Sequence, residues 1–268
     1  MAESVQSVLV PATQVAHQVV LRKAPNSISY GVFGDISLPD HELDRMVQAV
    51  PRAIAAALTR KAYYFVPLAM SEARPEPSSD ADNPGRRKAS EPTMIASTYS
   101  PDCADQAICH RNVALDGIEG VFISTRLLSD RFALAFEFFI NVGHAFVDTA
   151  GVPDIFTELV WNQALADVRG ETSQDAWESR TLALAAHPVD GKPRIDEKAK
   201  SNFIESAFSD AVAIYQLSLS VDFDYSELRE REYPLLAPQA LAERLRLVAK
   251  LFPPNPGYEF SIRYRRRA

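Results

Sequence analysis

The stretch Arg131–Asp148, RFALAFEFFINVGHAFVD, constrains the chain more than any other. Its apolar residues recur all round a helix, so that helix must be buried over much of its circumference. The polar exceptions are ordered. Glu137, Asn141, His144 and Asp148 fall at i, i+4, i+7 and i+11, one row along a single helical face. Charged groups on so apolar a helix are costly unless they are paired, hydrated or bound to a metal. No apolar run approaches the ~18 residues of a membrane-spanning helix, so no membrane span is expected.

The surrounding sequence predicts a mixed architecture. Strands are expected around Val15–Arg22, Ser27–Ile36, residues 62–69 and 93–99, and the GVFIST segment at 120–125. A helix is expected from about Asp40 to Arg60, with Leu43, Met46, Val47, Val50, Ile54 and Leu58 at helical spacing and a kink at Pro51. Further helices are expected over 129–149, 154–186 with a break near Gly170, 195–218 and 238–251. The tail FSIRYRRR reads as a short strand with a basic run. Residues 71–92, rich in proline and small polar residues, predict an exposed loop inserted between two strands. Strands with one early helix, then mostly helices, give an α+β class in one domain over 1–268.

Composition excludes several functions. The formal charge of −7 disfavours a general nucleic-acid binder, which needs a positive field. With ten glycines, the chain carries no dinucleotide fingerprint, Walker A loop or nucleophile elbow. The first residues, MAESVQSVLVPATQ, lack the basic and apolar regions of an export signal, so a cytoplasmic location is expected. Cys103 and Cys109, the latter beside His110, lack the paired spacing of a zinc site and read as loop cysteines. The charged run Asp222–Glu232 reads as a solvated helix face, and the arginines at 263–267 are expected to pair with the protein's own acidic surface or fray in solvent, with an anionic partner as the alternative.

A second polar row follows in RGETSQDAWESR, where Glu171, Asp175 and Glu178 also stand at i, i+4 and i+7. The two rows admit three readings. They form a buried interhelical network neutralised by Arg169 and Arg180. Alternatively they hold a metal, since His144 and Asp148 have ligand spacing on one helical face. The third reading is a metal-free acid–base site of paired carboxylates.

The stretch GVFISTRLLSDRFALAFEFFINVGHAFVD, with its ST-x-L-L turn between strand and helix, resembles the edge strand and active-site helix of gluzincin metallopeptidases. It is most similar to the branch of the CAAX prenyl proteases, over residues 118–186. The resemblance implies a zincin-like fold, a small mixed sheet with an active-site helix followed by further helices. It implies that His144, Asp148 and Glu171 are metal ligands, with zinc favoured over manganese or iron. Asp175 would then be a supporting partner, together with Glu137 and Asn141 on the first row. The sequence departs from the family where H-E-x-x-H becomes His144-Ala145-Phe146-Val147-Asp148, so the general-base glutamate is replaced by Ala145. Glu178 is the candidate for the missing base, and His110 and His187 are further candidates for recruitment by folding. The resulting expectation is a divergent metal-dependent hydrolase acting on a peptide or small molecule. The alternative is a non-catalytic pseudo-peptidase that binds a partner.

Overall fold

Where these patterns become structure is given by a computed structural model, which describes residues 8–70, 92–185, 195–225 and 233–262. Its first elements are β1 (Leu9–Pro11), α1 (Ala12–Gln18), β2 (Arg22–Lys23), β3 (Ser29–Val32), α2 (Asp40–Gln48) and α3 (Arg52–Ala55), the last followed by a 3-10 turn at Ala56–Leu58. Then come β4 (Lys61–Val66), β5 (Leu68–Met70), β6 (Met94–Ala96), α4 (Pro101–Ala104), β7 (Ala107–Ile108), β8 (His110–Ala114) and β9 (Glu119–Ser124). The remainder is helical: α5 (Arg131–Ala150), α6 (Asp154–Leu165), α7 (Gln174–Leu184), α8 (Glu197–Ser220) and α9 (Pro238–Leu251). The chain is therefore of mixed α+β class. It divides into two compact units, Met1–Ala24 with Ile28–Leu43 and Thr59–Glu137, and Pro25–Ser27 with Asp44–Leu58 and Phe138–Ala268.

The first unit contains both sheets. The five-stranded sheet has the order β2-β3-β4-β9-β8, with β3, β4 and β9 parallel and β2 and β8 antiparallel at its edges. The central strands KAYYFV and EGVFIS are almost continuously apolar, as strands covered on both faces must be. Their register sets Tyr64 opposite Phe122, and the two rings stack 4.6 Å apart. The second sheet, β1-β6-β5-β7, is joined to the first through Ser124. Its buried hydroxyl accepts from the Ala69 amide at 2.7 Å and donates to the Ile108 carbonyl at 2.5 Å.

The second unit is helical. Phe146, Phe156, Phe208 and Phe252 form its aromatic centre, with Phe156 and Phe208 4.7 Å apart and Phe146 meeting Phe252 edge to face at 5.2 Å. The single kinked helix expected over Asp40–Arg60 is instead divided at Pro51 into α2, α3 and the 3-10 turn, since proline cannot donate to the preceding turn. The carbonyls it strands are satisfied from elsewhere in the unit. Asn26 Nδ2 donates to Val47 and Val50, and Asn255 Nδ2 donates to Gln48 and Val50.

Two further expectations are corrected. The segment expected as a strand at Val15–Arg22 instead begins as the second half of helix α1, to Gln18, and reaches strand only at Arg22, because Ala12 and Val15 bury one helical face while Val20 stands 87% exposed. The segment around Cys103–Cys109, expected to be irregular, instead begins with the short helix α4 and passes through β7 into β8, an edge strand absent from the expected set. The break near Gly170 is real. Gly170 has φ +78°, and a Cβ there would lie 2.1 Å from the Leu235 carbonyl oxygen. The chain crosses at this point as a bridge pairing Glu171 with Leu235. The expected loop at 71–92, except for Pro92, lies outside the described residues, as does most of the basic tail. No strand forms over the described part of that tail. Among the described residues, no helix is long and apolar enough to cross a membrane.

Candidate functional site

The first polar row exists as expected, on α5, a 20-residue helix whose Phe138, Phe139 and Val142 are fully buried. Its members have separate partners. Glu137, in the first unit, accepts from His110 Nδ1 at 2.5 Å. Asn141 is buried at 8% exposure. His144 Nδ1 meets the Ser209 hydroxyl of α8 at 3.1 Å. Gly143 allows that approach, because a Cβ there would stand 2.6 Å from the Ser209 carbonyl oxygen. Asp148 is exposed and lines a cavity of about 460 Å³ with Thr157, Ser201 and Glu205. Ala145 is buried at 5% exposure among the apolar residues.

The second row is not a helical row. Glu171 precedes α7, in the bridge with Leu235, while Asp175 and Glu178 lie on the helix itself. Asp175 is exposed in the first turn, where a negative charge complements the helix dipole. Glu178 is exposed and accepts from Gln174 Nε2 at 2.8 Å. Neither faces the burial site of Glu171.

Glu171 is the centre of a closed ionic network. Its side chain is 0% exposed, with Oε1 receiving Arg180 Nη1 at 3.1 Å and Oε2 receiving Arg244 Nη1 at 2.9 Å. Both guanidiniums are themselves buried, at 5% and 0% side-chain exposure. Arg244 Nε is held by Gln163 Oε1 at 2.8 Å, and Arg180 Nη1 donates further to the carbonyls of Val168 and Gly170. Buried charges need this degree of partnering to be tolerated. Beside them Asp210 accepts from the Thr172 hydroxyl at 2.8 Å. Burial pushes its carboxyl up to about 6, with hydrogen bonds from Ser173 and Thr172 and the charge of Arg244 pulling back, and Glu171 adding to the rise.

Helix α8 separates the two groups of residues. Ser209 meets His144, whereas the next residue, Asp210, meets Thr172. Adjacent helical residues project about 100° apart, so the row on α5 and the Glu171 network lie on different flanks of α8. Among the described residues, no three His, Cys, Asp or Glu side chains converge as metal donors do. The residues that the gluzincin resemblance implies as ligands therefore do not fit a zinc ion. His144 bonds a serine, Asp148 borders an open cavity, and Glu171 already has two cations.

Of the further candidates, His110 lies on β8 in its bond with Glu137, and His187 lies outside the described residues. Cys103 and Cys109 are free thiols. Burial, then the nearby Glu137 carboxylate, pushes the Cys109 thiol up, which opposes nucleophilic use.

Of the two arginines expected to neutralise the network, Arg180 does so, and its second cation is Arg244, which the sequence reading omitted. A signal for it was present. In α9, Leu241, Leu245 and Val248 mark the buried face, and Arg244 falls on it. An arginine on the apolar face of an amphipathic helix implies a buried acid. Comparison with known proteins gives no match, either to a family model or to a curated protein.

Proposed function

We propose that the chain is a non-catalytic binding protein, a pseudo-peptidase with a zincin-like mixed sheet and following helix but without the metal chemistry of a gluzincin. The observation that carries this reading is the enclosure of Glu171 between Arg180 and Arg244. A hydrolase using zinc, manganese or iron on His144, Asp148 and Glu171 would have to withdraw that carboxylate from both guanidiniums. Two buried cations would then lose their buried counter-ion, Arg180 keeping only the exposed Asp167 at 3.8 Å. Ala145 adds a second obstacle, because its methyl group cannot take a proton from water.

The segment that the resemblance implied as the edge strand, β9, is paired on both sides, so what remains for binding is the outer edge of β8. No other described strand pairs with its outer edge. The Ser124 amide donates to the Cys109 carbonyl, and the register pairs His110 with Ile123. Antiparallel alternation therefore directs the main-chain groups of His110, Asn112 and Ala114 outward. The side chains of these three residues are exposed, while Val113 packs toward the core. An extended peptide can add to such an edge through main-chain hydrogen bonds.

Asn112→Pro tests this, because it deletes an outward N–H without removing a ladder bond to β9. With a displayed library of extended peptides, the parent is expected to enrich binders and leave them uncleaved. The variant is expected to bind those peptides at least about tenfold more weakly at an unchanged unfolding midpoint. Metal-dependent cleavage of any enriched peptide, or equal binding by the variant, contradicts the reading.

A further inference from the structure

We propose that the crevice at the carboxyl ends of the parallel strands β3, β4 and β9 binds a small organic anion with an apolar or aromatic body. The site lies wholly within the first unit and is independent of β8.

Parallel strands gather their carboxyl ends on one edge of a sheet, and the loops leaving them form a crevice where ligands of open sheets bind. Here β3 ends at Val32, β4 at Val66 and β9 at Ser124. The segments after β3 and β9, with Tyr99, enclose a cavity of about 360 Å³. That volume suits a small molecule. Ile36, Leu38 and Leu134 supply apolar walls, and Tyr99, 47% exposed, supplies an aromatic face.

The charge in the lining is of one sign, with Arg126 and Arg131 present and no carboxylate among the lining residues. Each guanidinium holds an acid from outside the lining. Arg126 Nη2 meets Asp35 Oδ2 at 2.5 Å, and Arg131 Nη2 meets Glu42 Oε1 at 2.6 Å. Asp35 and Arg131 are 69% and 71% exposed, so both pairs are solvated and easily exchanged. A guanidinium carries five donors, which leaves each arginine capacity for a second acceptor. The crevice also receives the start of α5, where the Asp130 carboxylate already accepts from the Phe132 amide at 3.0 Å, so the two guanidiniums rather than the helix end are the donors for an anion. Two forked cations, the Ser129 hydroxyl and an apolar wall match a carboxylate or phosphate joined to a ring or short aliphatic chain.

The test uses the full chain at low salt, with phenyl phosphate and benzoate as probes, phenol as the neutral control and inorganic phosphate as the bodiless control. Titration calorimetry and ligand-observed NMR give the affinities. At least one of the two organic anions is expected to bind in the millimolar range or tighter, and phenol at least about tenfold more weakly. The Arg126→Gln/Arg131→Gln double variant is expected to lose at least about tenfold in affinity, with its circular dichroism and unfolding midpoint retained. Tyr99→Ser is expected to weaken the organic anions and leave inorganic phosphate unchanged. Absence of binding by both organic anions at 10 mM (roughly −2.7 kcal/mol in affinity), or equal binding by the folded double variant, overturns the proposal.

Discussion

Replacing Glu171 with alanine is expected to destabilise the chain by about 3–5 kcal/mol, the cost of leaving buried charges without their partner. The cost is large because the carboxylate serves two guanidiniums and all three side chains are at most 5% exposed. Arg244 would retain Gln163, and Arg180 would retain backbone carbonyls and the fully exposed Asp167 carboxylate at 3.8 Å, but neither neutral acceptors nor a solvated carboxylate replace the buried charge. Urea unfolding followed by the fluorescence of Trp161 and Trp177 measures the effect. Apolar replacement of Glu171, Arg180 and Arg244 together is expected to be less destabilising than Glu171→Ala, since it also removes the desolvated cations. A loss below about 1 kcal/mol for Glu171→Ala, the scale of an exposed ion pair, would contradict the account of Glu171 as a structural counter-ion.

The second large effect concerns pH. The Asp210 carboxyl is raised from 3.8 to about 6, with burial as the leading cause. It therefore binds its proton more tightly in the folded chain than in the unfolded one. Its stabilising contribution is fully present below pH 3.8 and is lost as pH rises through about 6. The displacement corresponds to about 3 kcal/mol. Asp210→Asn resembles the neutral carboxyl in shape and does not titrate, so it removes this contribution while leaving the other carboxyls in place. Between pH 3.5 and 7 the parent is expected to lose about 2–3 kcal/mol relative to the variant. Parallel stability profiles would show that the Asp210 environment, with Arg244, Glu171, Thr172 and Ser173 around it, does not favour the neutral form.

The long helices were legible because local spacing determines them. The bounds expected for α9 match, and those for α5 differ by two residues at its start and one at its end. Pro51 was legible as a perturbed position for a covalent reason, the missing N–H, but as a kink and not as the full break between α2 and α3. Strand β8 was not legible, because an edge strand with one exposed face admits His110, Arg111 and Asn112 and loses the apolar signature of β4 and β9. The row on α5 was correct as a helical face, but spacing on one helix says nothing of what stands opposite. Glu171, Asp175 and Glu178 also had helical spacing, yet Gly170 and the bridge to Leu235 take Glu171 out of the helix. Its partner Arg244 lies 73 residues away, and only the placement of an arginine on an apolar face hinted at the pair.

The central claim is that Glu171 is a counter-ion and that His144, Asp148 and Glu171 form no metal centre. Its most direct test is metal content by inductively coupled plasma mass spectrometry. The full chain is purified without a histidine tag or chelator, beside the His144→Ala/Asp148→Ala variant. The account predicts well below one equivalent (at most about 0.1) of zinc, manganese or iron in both proteins, since the donors do not converge. Near one equivalent in the parent, lost in the folded variant, would contradict it and restore the metal-dependent hydrolase.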